Sequence, residues 1–312
     1  MQKVHILHNP GAGDEKYTRE HLIELLENNG YQCSYMSTKQ DKWKNFDTNA
    51  DLLIVAGGDG TVRKVAGQIL NRQLLDKPRA LALLPLGTAN NIGRSLKLNT
   101  SIEEAVNTLH LYQAKPFDIG RIYNVPGAGY FLESFGFGVF PALIEESKKK
   151  PDKDKAEKTL QEKIQLARKR LYDIVVSYEP VFCKIEIDSK EYSGRYLLIE
   201  VMNTPSIGPK LDLSPVSDPG DGSFEVVMVS ESDRQKFLDY LSGKISESKD
   251  EYNFETIKGK HIKISWDGNQ AHVDDKFIEL ENGIEVTIRL RNELLAFLTP
   301  LLNPIELLND PV

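Results

Sequence analysis

The stretch Leu52–Leu70, LLIVAGGDGTVRKVAGQIL, limits what this chain can fold into more than any other. Leu52 to Ala56 is an apolar run long enough for one buried strand. It passes into Gly57-Gly58-Asp59-Gly60-Thr61, after which Val62, Val65, Ala66, Ile69 and Leu70 fall on one face of a helix. A strand, a glycine turn and a helix N-terminus in direct succession belong to an α/β layer. Three glycines let the backbone approach a ligand without Cβ interference, and first-turn N–H groups carry partial positive charge, so the junction suits phosphate. A plain tight turn accounts for one glycine well and for three poorly.

The same grammar recurs on either side. Val4, Ile6 and Leu7 form a short strand that ends at Asn9-Pro10-Gly11-Ala12-Gly13, followed by a helical stripe of Leu22, Ile23, Leu25 and Leu26 closed by Gly30. Tyr31 to Met36 reads as a strand ending near Ser37-Thr38. Ala80 to Leu84 is another, broken by Pro85-Leu86-Gly87-Thr88-Ala89-Asn90-Asn91 before a helix with Ile92 and Leu96. Ser101 with Glu104 gives a capping-box pattern for the next helix. Alternating strands and helices imply a parallel sheet, and ligands of such sheets gather where the strand carboxyl ends emerge. All three glycine-bearing loops leave from such ends and should converge.

After about Gly120 the pattern changes. Val181–Asp188 alternates apolar Cys183, Ile185 and Ile187 with charged Lys184, Glu186 and Asp188, the period of a half-buried strand. Further strands are expected at Tyr196–Met202, Phe224–Val229, His261–Trp266 and Ile284–Leu290, with helices near Ala156–Tyr172 and Asp233–Ser242. The expected fold is α/β: a parallel-sheet domain with phosphate-suited loops over residues 1–120, then a β-rich domain over residues 121–292. The apolar C-terminal segment, 293–312, is expected to pack on the first domain. Phe135-Gly136-Phe137-Gly138 with Phe131 and Phe140 reads as a core strand, with an acyl-chain groove as the alternative.

A formal charge of -7 argues against a general nucleic-acid binder, which needs a basic footprint to displace counterions. Cys33 and Cys183 are far apart and show no paired spacing, which points to a reducing, cytoplasmic setting. No stretch approaches the roughly 20 apolar residues of a membrane-spanning helix, and MQKVHILHNP reads as a buried strand rather than a signal peptide. None of the six histidines has metal-ligand spacing.

With its three loops in order, the chain resembles the soluble diacylglycerol kinase catalytic-domain family, the bacterial lipid kinases related to sphingosine kinases. Asn9-Pro10 with its glycines, Gly57-Gly58-Asp59-Gly60-Thr61 and Pro85-Leu86-Gly87-Thr88-Ala89-Asn90 match that family's nucleotide motifs. Asn203–Gly222, NTPSIGPKLDLSPVSDPGDG, matches its Asp-Gly region. The resemblance implies a Rossmann-like nucleotide-binding domain followed by a β-rich antiparallel domain for lipid or other substrate, with transfer of the γ-phosphoryl group of Mg-ATP to the hydroxyl of a lipid such as diacylglycerol. It implies nucleotide contacts from Asn9, Pro10, Gly11, Gly13, Thr38, Gly57, Gly58, Gly60, Thr61, Gly87, Thr88, Asn91 and Arg94. Asp59 would hold the catalytic magnesium through water. A structural magnesium would sit on Asp221, with Asp218 and Ser223 offering backbone oxygen. NAD kinases share GGDGT, but the Pro-Leu-Gly-Thr-Ala-Asn and Asp221-Gly222 regions fit them poorly. No GxxxxGK[ST] motif is present.

Three acidic positions of the family pattern are altered. Lys276, in His272-Val273-Asp274-Asp275-Lys276, stands where the family's glutamate base belongs; Asn91 and Lys64 replace an aspartate and a glutamate. A protonated lysine accepts no proton near neutral pH without a large pKa fall. Asp274 or Asp275 supplies the base through a shifted turn, or the chain is a catalytically weak nucleotide- or lipid-binding protein on the kinase scaffold, or the motif is displaced by one residue. Lys148–Arg170 carries ten basic residues against four acidic ones. With Leu160, Ile164, Ala167 and Leu171 facing the core, its basic face is a candidate for peripheral contact with the anionic inner membrane surface; a merely solvated helix is the alternative.

Overall fold

A computed structural model describes residues 1–13, 17–46, 50–71, 80–87, 89–98, 101–149, 159–248 and 254–301. The chain divides into two compact units, residues 1–117 with 293–312, and residues 118–292.

The first unit runs β1 (Gln2–His8), α1 (Arg19–Asn28), β2 (Tyr31–Ser37), β3 (Leu52–Gly57), α2 (Asp59–Asn71), β4 (Ala80–Pro85), α3 (Asn91–Ser95) and α4 (Ile102–Thr108), and β5 (Tyr112–Tyr123) leads out of it. Strands pair in parallel in the order β2-β1-β3-β4. Alternate residues Leu52, Ile54 and Ala56 of β3 pack with Leu22 and Leu26 of α1 and with Ile102, Ala105 and Val106 of α4. The intervening Leu53 and Val55 are just as deeply buried. A strand covered on both faces needs apolar residues throughout, hence the unbroken run without alternation. α2 buries Val62, Val65, Ala66 and Ile69 of the stripe expected from its spacing, while Leu70, the fifth member, is only half-buried. Side-chain caps set two helix starts: Thr18 accepts the His21 N–H, and Ser101 accepts the Glu104 N–H.

The second unit begins in β5 and continues through β6 (Tyr130–Phe131), β7 (Ser134–Gly138), α5 (Val139–Lys149), α6 (Leu160–Ser177), β8 (Val181–Ile187), β9 (Lys190–Met202), β10 (Ser206–Ile207), β11 (Leu211–Asp212), β12 (Phe224–Ser230), α7 (Arg234–Ser246), β13 (Thr256–Gly259), β14 (His261–Trp266), β15 (Gln270–Val273), β16 (Lys276–Glu279) and β17 (Glu285–Pro300). Its strands pair antiparallel along β16-β15-β7-β9-β8-β14-β17, with β12 and β13 branching from β9. Phe135, Phe137, Ile199, Ile262, Trp266 and Val286 belong to one core, and α5, α6 and α7 cover a second around Leu197, Val227 and Phe237. Phe131, Phe135, Phe137 and Phe140 are thus core residues, the first of the two expected readings.

Three boundaries differ from expectation for identifiable reasons. β9 starts at Lys190 rather than Tyr196, because Asp188 and Ser189 both adopt positive φ and close a two-residue hairpin with β8. β17 runs on past Leu290; Glu285–Arg289 pair with β14, and Ala296 and Phe297 pair in parallel with Ala80 and Leu81 of β4. α6 is capped by Thr159 and Glu162 and buries Ile164, Arg168 and Leu171, while Ala167 is only half-buried. The Arg168 guanidinium donates to the carbonyls of Pro209, Lys210 and Lys244. One cation of the expected outward basic face therefore points inward. Lys148 lies over the Phe277 ring and Lys149 pairs with Glu145, whereas residues 150–158 of that segment lie outside the described residues. Among the described residues, no helix is long and apolar enough to cross a membrane.

Candidate functional site

Parallel register carries the carboxyl ends of β1, β2, β3 and β4 to one edge of the first unit. His8 pairs with Ser37 and Ala56, Ala56 with Leu84, and Gly57 with Pro85. Backbone bonds continue past the strands: Asn9 N–H donates to Ala56, Thr38 N–H to His8, and Leu86 N–H to Gly57, at 2.8–3.0 Å. The three glycine loops are thereby brought together. Asn9-Pro10-Gly11-Ala12 is a turn closed by the Ala12 N–H on the Asn9 carbonyl at 3.0 Å, and the Asn9 side chain accepts the Gly11 N–H at 3.2 Å.

Glycine is required where these loops touch. A Cβ on Gly58 would lie 2.7 Å from the Gly87 Cα, and one on Gly87 would collide with the Gly58 Cα. One on Gly57 would strike the Thr61 side chain, and Gly13 adopts φ +68 with its Cβ position 3.0 Å from the Leu86 carbonyl oxygen. Gly60 differs, since a Cβ there meets only the Arg63 guanidinium at 3.6 Å. Its N–H lies in the first turn of α2, where helix geometry provides no intrahelical acceptor, the kind of group that suits an anion.

Asp59 carries a duty invisible in the sequence. Its two carboxylate oxygens accept the N–H groups of Asn91 and Ile92, each at 3.0 Å, so it caps α3 from a different loop. Asn91 is buried there, and a neutral side chain sits beside Asp59 where a second carboxylate would repel it. Asn90, at φ 51, uses its side chain to accept the Gly87 N–H and to donate to the Pro85 and Gly87 carbonyls. Thr61 is buried with its side chain against Gly57, and the Thr38 hydroxyl donates to the His8 carbonyl at 3.2 Å. Arg94 is exposed in α3, Lys64 is exposed on α2, and Thr88 lies outside the described residues.

Lys39 was missed by the sequence reasoning. Its ammonium lies 2.7 Å from the position of a Gly11 Cβ, which puts a cation at the mouth of the first loop. The signal available was a lysine directly after Thr38 at a strand end. Burial, with the Lys39 charge adding to it, holds the His8 imidazole below its usual pKa; its Nδ1 meets the Tyr35 hydroxyl at 2.9 Å.

In the second unit the Asp-Gly loop is fixed by Asp118, which is 1% exposed. Asp118 accepts the Gly222 N–H at 2.8 Å and donates its own N–H to the Pro219 carbonyl at 2.6 Å, while the Asn203 amide donates to the Asp118 and Leu132 carbonyls. Burial pushes the Asp118 carboxyl above its usual range, opposed by the Gly222 hydrogen bond. Asp218 accepts the Gly220 N–H. Asp221 accepts both the Ser223 N–H and hydroxyl on one oxygen, at 2.9 and 2.7 Å, and the Lys258 ammonium on the other, at 2.7 Å. Burial acts against its ionisation, but Lys258 and Ser223 outweigh burial and hold the carboxyl below its usual range. Both oxygens are engaged, one by a full positive charge, and this donor set does not fit a divalent metal. Among the described residues, no three His, Cys, Asp or Glu side chains are grouped for a metal.

The turn between β15 and β16 holds Asp274 and Asp275. Asp274 adopts φ 53, and one carboxylate oxygen accepts the N–H groups of Leu132, Glu133 and Ser134 at 2.8–3.3 Å. Below it, Glu200, Gly136 and His272 occupy one row across β9, β7 and β15. Gly136 has no side chain, which leaves room for Glu200 to reach His272 across it, 2.9 Å away. The other imidazole nitrogen donates to the Asp274 carbonyl at 2.5 Å. Burial alone would lower the His272 pKa; Glu200 and the Asp274 carbonyl outweigh it and raise it. Asp275 and Lys276 are exposed.

Residues 3–122 match the diacylglycerol kinase catalytic domain, and residues 154–278 match the YegS C-terminal NAD kinase beta sandwich-like domain. The chain is 29% identical over 252 residues to a diacylglycerol kinase of Bacillus subtilis, covering 76% of this chain and 77% of that one. A diacylglycerol kinase of Staphylococcus aureus is 27% identical over 244 residues, covering 74% and 71%. A crystal structure of a diacylglycerol kinase from Bacillus anthracis shares the fold, with TM-score 0.71, 24% identity and 98% coverage of both chains. Catalytic-domain loops at the strand ends, followed by the family's second domain, place this chain in the soluble diacylglycerol kinase catalytic-domain family.

Proposed function

We propose that the chain is a lipid kinase that transfers the γ-phosphoryl group of Mg-ATP to the hydroxyl of a lipid such as diacylglycerol. The observation that carries this reading is the convergence of the Gly11, Gly58-Gly60 and Gly87 loops at one sheet edge, beside Lys39 and the first turn of α2. Phosphoryl transfer asks a protein mainly for positioning and for charge stabilisation of phosphate oxygens. The Gly60 N–H and the Lys39 ammonium supply positive charge at those loops, and the Gly58–Gly87 contact keeps their backbones in place. Asp59, in the same loop as Gly60, fits a water-mediated contact with the magnesium of Mg-ATP, which neutralises phosphate charge.

A carboxylate must receive the proton of the attacking hydroxyl. Asp274 is poorly placed for this, because one of its carboxylate oxygens is already occupied by the N–H groups of Leu132, Glu133 and Ser134. Asp275 is the exposed carboxylate of the same turn, held through Asp274 by the His272–Glu200 pair. In the proposed step Asp275 takes the proton, the lipid oxygen bonds to the γ-phosphorus, and the bond from that phosphorus to the β,γ-bridging oxygen breaks, releasing ADP. Asp275→Asn should lower kcat about 100-fold or more while leaving the KM for ATP little changed; unaltered turnover would remove Asp275 from this role. A second reading, a nucleotide- or lipid-binding protein of low activity, is favoured by Lys276 alone, a cation where relatives of this pattern carry the base. Lys276→Glu distinguishes the two: a large gain in turnover supports weak native activity, and little change supports Asp275.

A further inference from the structure

We infer that the Asp-Gly loop of the second unit is clamped by an internal cation, the Lys258 ammonium, in the role that the family resemblance assigns to a structural divalent metal on Asp221. Lys258 is placed by strand register rather than by a free loop: in the β12–β13 ladder it stands directly opposite Glu225. From there its ammonium reaches Asp221 at 2.7 Å and Glu225 at 3.3 Å. Glu225 is fully buried. One cation therefore ties a loop carboxylate to a buried strand carboxylate, the kind of cross-link a metal provides.

Groups within the loop add their own hydrogen bonds. Ser223 fills the second Asp221 oxygen through N–H and hydroxyl, Asp118 holds the Gly222 N–H, and Asp221 N–H donates to the Asp218 carbonyl at 3.2 Å. The carboxylates Asp118, Asp218, Asp221 and Glu225 would repel one another without compensation. Lys258 supplies that compensation, with Lys260 4.0 Å from the Gly222 Cβ position adding to it. Magnesium demands near-octahedral oxygen coordination and gives up water reluctantly. On Asp221 it would have to displace an ammonium already in contact.

This goes beyond the phosphoryl-transfer reading, and its test uses neither nucleotide nor lipid. Mn2+, a spectroscopic substitute for magnesium, is titrated into chelator-stripped protein by electron paramagnetic resonance, with wild type, Asp59→Asn and Asp221→Asn compared. The expected result is no Mn2+ binding that depends on Asp221. Binding that survives Asp59→Asn and disappears in Asp221→Asn overturns the inference. In parallel, Lys258→Met should lower the unfolding temperature in chelator by several degrees, with Lys258→Arg retaining most of the stability. A Lys258→Met protein as stable as wild type also overturns it. Where Lys258→Met fails to fold, the Mn2+ titrations of wild type, Asp59→Asn and Asp221→Asn decide alone.

Discussion

Asp59→Asn separates a structural carboxylate from a purely catalytic one. In the folded protein the two Asp59 oxygens accept the Asn91 and Ile92 N–H groups at 3.0 Å, joining the loop after β3 to the start of α3. Asparagine keeps one acceptor and turns an NH2 toward the other N–H, so one charge-assisted hydrogen bond is lost and one donor is left facing a donor. Hydrogen bonds to charged groups contribute about 1.5–3 kcal/mol, and loss of a helix cap about 1 kcal/mol. A destabilisation of about 2 kcal/mol follows. With roughly 2.1 cal/mol/K of unfolding entropy per residue, a unit of this size loses roughly 7 °C. The assay is urea and thermal unfolding by circular dichroism in chelator, without nucleotide. A variant within about 0.5 kcal/mol of wild type, the range of an inert surface change, would refute the cap, whatever its effect on catalysis.

Other substitutions probe the same frame. Gly87→Ala should abolish nucleotide binding measured by calorimetry while the second unit stays folded, because its Cβ forces the two phosphate loops apart; unchanged affinity would contradict the loop contact. Lys39→Met should raise the KM for ATP roughly tenfold with a smaller effect on lipid KM, and equal effects on both would argue against a phosphate contact. His272→Gln tests the buried pair by pH. The folded His272 pKa is raised, so its stabilisation is full below the usual histidine value and fades as pH rises through the folded pKa. The stability gap between wild type and variant, from urea unfolding, should shrink toward alkaline pH; a gap that widens with pH reverses the sign of the argument.

Periodicity and glycine placement made the first unit legible. Unbroken apolar runs marked β3 and β4 because both faces of the sheet are covered, and three glycine loops at strand ends located the candidate phosphate site. Features produced by contact between distant segments were not legible. Asp59 looks free in a phosphate loop until α3 is folded against it, and the Gly58–Gly87 contact exists only when β3 and β4 lie side by side. Arg168 counts as a surface cation by composition, yet three carbonyls from other segments draw it inward. Lys258 lies 37 residues from its partner Asp221, and only antiparallel pairing of β12 with β13 brings them together. Gly136 reads as an interruption in an aromatic strand, although it is the gap through which Glu200 meets His272.

The central claim is group transfer from ATP to a lipid hydroxyl. Purified protein incubated with γ-labelled ATP, magnesium and a total lipid extract, followed by mass-spectrometric identification of products, tests it most directly. The account predicts label in a phosphorylated lipid, formed by wild type and lost in Asp275→Asn and Gly87→Ala. Nucleotide binding with no labelled lipid, or labelled lipid formed equally by all three proteins, would contradict it.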